Sequence, residues 1–113
     1  MIERKYEELE NVEINFKGCL ISEEDVIYKI DRQDSTITEY YIDGVFRSKS
    51  NGDIYLLLYE MNTIDYASKS TDILVKAKLL NLSSENSKIK NGEKSDWFVG
   101  DNAFDDALDE LFV

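Results

Sequence analysis

Apolar and polar positions alternate over most of this chain with the period of two that marks half-buried β-strands. Val12, Ile14 and Phe16 alternate with Glu13, Asn15 and Lys17, and Gly18 marks an expected bulge before Cys19–Ile21. Val26, Tyr28 and Ile30 begin a second strand, and Arg32–Ser35 reads as a turn. Thr36–Ile42 is rich in Thr, Tyr and Ile and predicts a third. Asp43-Gly44 and Asn51-Gly52 separate β-formers and predict two hairpin turns, flanking Val45–Ser48 and leading into Asp53–Met61. Asn62–Thr71 is a polar connection, Asp72–Leu82 a long strand, Ser83–Lys94 a loop with a third Asn-Gly, and Ser95–Val99 a short extended segment.

The period changes at both ends. Ile2, Tyr6 and Leu9 fall at i, i+4, i+7 among glutamates, which predicts an amphipathic helix over 2–10. Asp101 can cap a last helix over 102–112. There Ala103, Phe104, Ala107, Leu108, Leu111 and Phe112 form one stripe, opposite Asp105, Asp106, Asp109 and Glu110. The expected architecture is α+β in a single domain, 1–113. An antiparallel β-meander of about six strands occupies 11–99, as a strongly bent sheet or small partly closed barrel, with a short helix at each terminus.

Charge changes the picture of the ends. The net charge is -11, from 24 acids and 13 bases. Residues 1–25 hold 8 acids and 3 bases, residues 96–113 hold 6 acids and no base, and residues 26–95 hold 10 of each. Acid in the last helical turn opposes the helix dipole, so these carboxylates point to a task besides folding. Solubility is the competing explanation, as is a terminal helix that merely docks its stripe on the sheet.

The chemical inventory is narrow. Histidine is absent, which removes the usual general base and the commonest metal ligand. The single cysteine, Cys19, has no histidine to activate it and no disulfide partner. The five glycines, at 18, 44, 52, 92 and 100, form no phosphate loop. An EF-hand starting at Asp101 fails at Ala103 and Asp106, where an oxygen ligand and a glycine belong. The expectation is a noncatalytic protein with no cofactor and no metal. MIERKYEELE has no apolar leader, and the longest apolar run, Ile54–Tyr59, is six residues. A cytoplasmic setting in a bacterium or an infected host cell is expected, with no membrane contact.

The segment DNAFDDALDELFV resembles the acidic, hydrophobic-ended tails of single-stranded DNA-binding proteins. Its Ala107-Leu108-Asp109-Glu110-Leu111-Phe112 run is similar to short sliding-clamp-binding peptides. It departs from the tail pattern in ending Phe112-Val113 and in lacking a Gly/Ser/Gln-rich tether. The resemblance implies a detachable, partner-recruiting peptide. Alternatively the acids stay fixed on the folded body, imitate phosphates and occupy a basic groove. The expected partner-binding set is then Asp101, Asp105, Asp106, Asp109, Glu110, Leu111 and Phe112, extended by Glu3, Glu7, Glu8 and Glu10. The partner would be a basic protein of the nuclease, CRISPR-effector or toxin class, and the chain an anti-defence inhibitor or immunity protein.

Direct nucleic-acid binding is disfavoured by the charge balance. It is the alternative nonetheless: a barrel of the oligonucleotide-binding type could use Phe46, Tyr55, Tyr59 and Tyr66 with Lys69, Lys76, Lys78, Lys88, Lys90 and Lys94. The plainer account is that these tyrosines are ordinary β-formers and the lysines guard edges.

Overall fold

A computed structural model describes residues 5–65 and 77–112. Among these residues, eight strands and two helices follow in order: β1 (Tyr6–Leu9), β2 (Ile14–Phe16), β3 (Cys19–Ile21), β4 (Val26–Asp31), β5 (Thr36–Ser48), β6 (Ile54–Asp65), β7 (Ala77–Asn81), α1 (Leu82–Lys90), β8 (Trp97–Phe98) and α2 (Ala103–Leu111). The architecture is α+β and mostly antiparallel sheet. Six strands form one open sheet in the order β7-β6-β5-β4-β8, with β1 also paired to β5. It is not closed into a barrel. β2 and β3 make a separate hairpin.

The thirteen-residue β5 is the spine. One edge pairs with β6 along nearly its whole length. The other edge is shared: Thr36–Tyr41 pair with β4, and Val45–Ser48 pair with β1.

The expected Asp43-Gly44 turn is absent. Gly44 is buried inside β5, and the register steps from Ile42 opposite Leu58 to Gly44 opposite Leu57, so Asp43 is a bulge residue. Glycine is needed here for space. A Cβ on Gly44 would lie 2.8 Å from Cε2 of the Phe46 ring. A turn does connect β5 and β6 at Asn51-Gly52, but it is a longer connection over residues 49–53 in which Gly52, at φ 77, and not Asn51 takes positive φ. Gly18 belongs to a turn and not to a bulge: Phe16 pairs with Cys19, and Lys17 and Gly18 both have positive φ. That is the geometry of a two-residue type I′ hairpin.

Four further expectations are corrected. Tyr6–Leu9 is an edge strand and not part of a helix, because its backbone pairs with Val45–Ser48; residues 2–4 of the expected helix lie outside the described residues. The expected loop at 83–94 is largely helix α1. Asn81 caps it, accepting the Ser84 N–H at 2.9 Å. Its C-terminus closes through Gly92 N–H to Ile89 O and Glu93 N–H to Lys88 O, the paired bonds of a Schellman motif, so the third Asn-Gly ends a helix. Asp101 does not cap α2: the cap residue is Asn102, without a side-chain capping bond. Of the expected strand 72–82, residues 77–81 are β7, residue 82 opens α1 and 72–76 lie outside the described residues.

The open sheet is packed on both sides, because successive side chains of a strand point opposite ways. Ile27, Tyr40, Ile42, Val45, Leu56, Leu58, Leu80 and Trp97 make the larger cluster with Phe16 and Ile21 of the hairpin and Leu82 of α1. Ile30 and Ile37 make a second cluster with Ala107, bordered by Tyr28, Phe98, Phe104, Leu108 and Leu111. The second cluster fixes α2.

Candidate partner-binding site

The stripe of α2 is docked. Ala103 and Ala107 are fully buried, Phe104, Leu108 and Leu111 are half-buried against β4 and β8, and Phe112 remains 64% exposed. The Phe104 ring meets Tyr28 at 5.6 Å between centroids. The carboxylates divide in two. Asp105, Asp106 and Asp109 are exposed, and no Lys or Arg among the described residues forms an ion pair with them. Glu110 is tied down: its Oε1 accepts from Arg32 at 2.8 Å and pairs with Lys94. The hydrogen bond from Lys94 is the main force lowering the Glu110 pKa; partial desolvation opposes it, and the charges of Lys94, Arg32 and Lys17 add to the lowering. Glu110 is therefore part of the clamp holding α2 to the body, and Leu111 part of its packing.

Lys17 feels the charge of Asp106, and it is occupied. Its ammonium donates to the Trp97 carbonyl at 2.6 Å and sits 4.6 Å from the Phe98 ring centroid. Burial lowers its pKa, while Asp106, Glu110 and Asp96 pull it up.

Glu7, Glu8 and Glu10 are exposed on or just after β1, with Glu7 4.0 Å from Arg47. Glu3 lies outside the described residues. Glu7 stands opposite Arg47 and the α2-bearing Ile30 opposite Ile37, ten residues apart along β5. At about 3.3 Å of rise per residue those two positions on β5 stand roughly 30 Å apart. The two acidic sets do not form one helical row.

What links them was not among the expected site residues. Between β1 and β4, the Ser22–Asp25 turn docks on the same edge of β5: Glu24 N–H donates to Ile42 O at 2.8 Å, and Ile42 N–H donates to Asp25 O at 2.9 Å. The Asp25 carboxylate in turn accepts the Ser22 N–H at 2.8 Å. An open cleft of about 330 Å³ next to β1 is lined by Leu9, Val12, Glu13, Glu23, Glu24 and Val45, among others. A second, of about 240 Å³, brings Asp25 beside Asp101 at the approach to α2, with half-buried Cys19 and Val26 in its wall. Among the described residues neither cleft has a Lys or Arg in its lining. These acids make a series along one edge of β5, the acidic ridge: Glu7, Glu8 and Glu10 on and after β1, with Glu7 and Glu8 on opposite faces and Glu7 beside Arg47, then Glu13, Glu23 and Glu24 in the first cleft, Asp25 and Asp101 in the second, and exposed Asp105, Asp106 and Asp109 on α2. The signal was present in the sequence, since Glu13 and Glu23–Asp25 belong to the same acidic first 25 residues.

The residues of the alternative nucleic-acid surface are divided. Tyr55 and Tyr59 project from β6 on the side opposite Leu56 and Leu58, whereas Lys78 stands opposite Leu58 in the β6–β7 pairing and reaches Trp97. Phe46 is buried, and Tyr66, Lys69 and Lys76 lie outside the described residues.

Among the described residues no cluster of three His, Cys, Asp or Glu is placed to hold a metal ion, and no helix is long and apolar enough to cross a membrane. No protein-family model, curated protein or solved structure matches the chain.

Proposed function

We propose that this protein is a noncatalytic inhibitor that lays its acidic ridge on the basic, nucleic-acid-binding surface of a partner protein. The observation that carries this is the series of acids along one edge of β5, which includes two clefts whose described linings hold Glu13, Glu23, Glu24, Asp25 and Asp101 and no Lys or Arg. A nucleic acid presents a similar succession of anions, and a basic groove attracts either. Rigidity favours the binding, because α2 is already packed and little ordering remains to be done on association. A nuclease, a CRISPR effector or a basic toxin is the class of partner that fits, in a bacterial cell or one infected by a phage.

Two observations weigh against a single-stranded nucleic-acid-binding role. Tyr55 and Tyr59 point to the side of the sheet away from Lys78, and the acidic segment that would be a free recruiting tail is docked through Ala103 and Ala107.

The test is competition. The partner is captured from a bacterial lysate on the immobilised chain at low salt, identified and purified. Fluorescently labelled DNA or RNA bound to that partner should be displaced by the chain with one-to-one stoichiometry. A partner that holds nucleic acid and this chain together contradicts the proposal.

A further inference from the structure

Where β1 begins, β5 ends and β6 begins, rings, hydroxyls and ammonium groups follow one another along one cleft. Tyr6 stands opposite Ser48, and Tyr55 opposite Phe46, two residues before Ser48, so Tyr6, Ser48 and Tyr55 share the side of the sheet away from Leu56. The Tyr6 and Tyr55 rings meet edge to face, with centroids 5.1 Å apart and planes at 73°. The Tyr55 hydroxyl accepts from Asn81 Nδ2 at 3.1 Å, which fixes the far end of that ring. Next along the chain, the Ser48 and Ser50 hydroxyls lie 2.9 Å apart, and Ser48 Oγ also accepts the Ser50 N–H at 3.3 Å. Only one of their two protons is needed between the oxygens. Beside them Lys49 N–H donates to Lys5 O at 2.9 Å, which brings two exposed lysines together. These groups line an open cleft of about 580 Å³ with no carboxylate in its described lining.

We infer that this cleft binds a nucleoside monophosphate. Base, sugar and phosphate succeed one another in such a ligand as rings, hydroxyls and ammonium groups do in the cleft. The phosphate pairs with Lys5 and Lys49, whose ammonium groups each carry three N–H donors and make charge-assisted bonds, the strong kind. The sugar hydroxyls meet the Ser50 hydroxyl. The base lies against the tyrosine pair, since every base offers a π face to an aromatic ring. The pair is held before any ligand arrives, by its own edge contact and by Asn81, so little is left to order on binding. The neighbouring acids stand aside. Glu7 lies on the opposite face beside Arg47, and the Asp53 carboxylate accepts from Asn81 Nδ2 at 3.1 Å. Glu8 shares the face of Tyr6 but lies beyond it, away from Lys5, where it would oppose the next phosphate of a longer strand. The ligand is therefore a single nucleotide. The site shares no residue with the acidic ridge, so either proposal can fail alone.

Calorimetric titration of the intact chain with AMP at low salt is the test. AMP should bind saturably, and the amide NMR signals of residues 48–51 should shift as it does. Adenosine, which lacks the phosphate, and ribose 5-phosphate, which lacks the base, should each bind at least about fivefold more weakly. Lys5→Gln combined with Lys49→Gln, at two exposed positions, should weaken AMP binding at least about tenfold and leave adenosine binding unchanged. Absence of saturable AMP binding overturns the proposal, as does a double variant that binds AMP like the original. Ribose 5-phosphate binding as tightly as AMP overturns the role of the rings. A single-stranded oligonucleotide that displaces AMP and binds more tightly overturns the assignment to a single nucleotide.

Discussion

The Phe46 ring occupies the space that a side chain at Gly44 would need, with Cε2 2.8 Å from the position of a Cβ. Both residues are buried in the spine strand, and the bulge at Asp43 sits directly before them. Gly44→Ala should therefore destabilise the fold by roughly 1–3 kcal/mol through overpacking. In a Phe46→Leu background the same substitution should cost less, because the two residues are in contact and their effects couple. Urea unfolding of the four proteins of this cycle measures the difference. An additive cycle would show that the ring does not set the glycine requirement.

Asn81 does two jobs at the junction of β7 and α1. Its Oδ1 accepts the Ser84 N–H, and its Nδ2 donates to Asp53 Oδ2 and to the Tyr55 hydroxyl, each at 3.1 Å. Asn81→Ala should cost about 0.5–2 kcal/mol for the lost cap alone, with a further loss from the two donated bonds. Asn81→Asp keeps the cap acceptor but sets a carboxylate against Asp53, and should fall between the two. Denaturant midpoints order the three proteins. An Asn81→Ala protein as stable as the original would contradict the capping role.

The Glu110 clamp makes part of the stability depend on pH. Its pKa is lowered in the folded chain, so the unfolded chain takes up a proton first as pH falls. The contribution is fully present above the ordinary carboxylate range. It is lost as pH falls through that range and then through the lowered folded value. Glu110→Gln should be less stable than the original at pH 7, and the gap should close on acidification through that window. Thermal midpoints across the window check this. A gap that persists in acid would mean that Glu110 acts by shape and not by charge.

These three contacts show where sequence patterning carries through and where it stops. The alternation of Val26–Ile30 and Thr36–Ile42 survives as β4 and the first half of β5, because both strands bury one apolar set on each packed face. Asp43-Gly44 misleads because its glycine answers to the Phe46 ring, a contact that turn statistics do not contain. Tyr6–Leu9 has helical spacing, but its backbone bonds come from Val45–Ser48, some 40 residues away in sequence. Helix α1 is nearly silent in hydrophobic periodicity, with Leu82 and Ile89 as its apolar anchors. Its ends were legible all the same, in Asn81, in Lys88 and Lys90 of the last turn, and in Gly92. For the site, the acids of α2 were legible as one face of a stripe. The reduction of Glu110 to a clamp was not, because Arg32 and Lys94 reach it through the fold. Nor was the bridging part of Glu13, Glu23, Glu24 and Asp25, which depends on where the Ser22–Asp25 turn docks.

The central claim is that exposed carboxylates of the ridge bind a basic partner. Asp105, Asp106 and Asp109 are the acids to reverse, since they are solvent-exposed and outside the Glu110 clamp. Lysine at Asp109, toward the end of α2, suits the helix dipole, whereas at Asp105 and Asp106 in its first turn it opposes it, so circular dichroism first confirms that the variant is folded. The most direct measurement is the affinity of the captured partner for the original chain and for the Asp105→Lys, Asp106→Lys, Asp109→Lys triple variant, across a series of salt concentrations. The account predicts that the original binds more weakly as salt rises, and that the variant loses on the order of a hundredfold or more at low salt. Equal affinities for the two proteins, unchanged by salt, would contradict it.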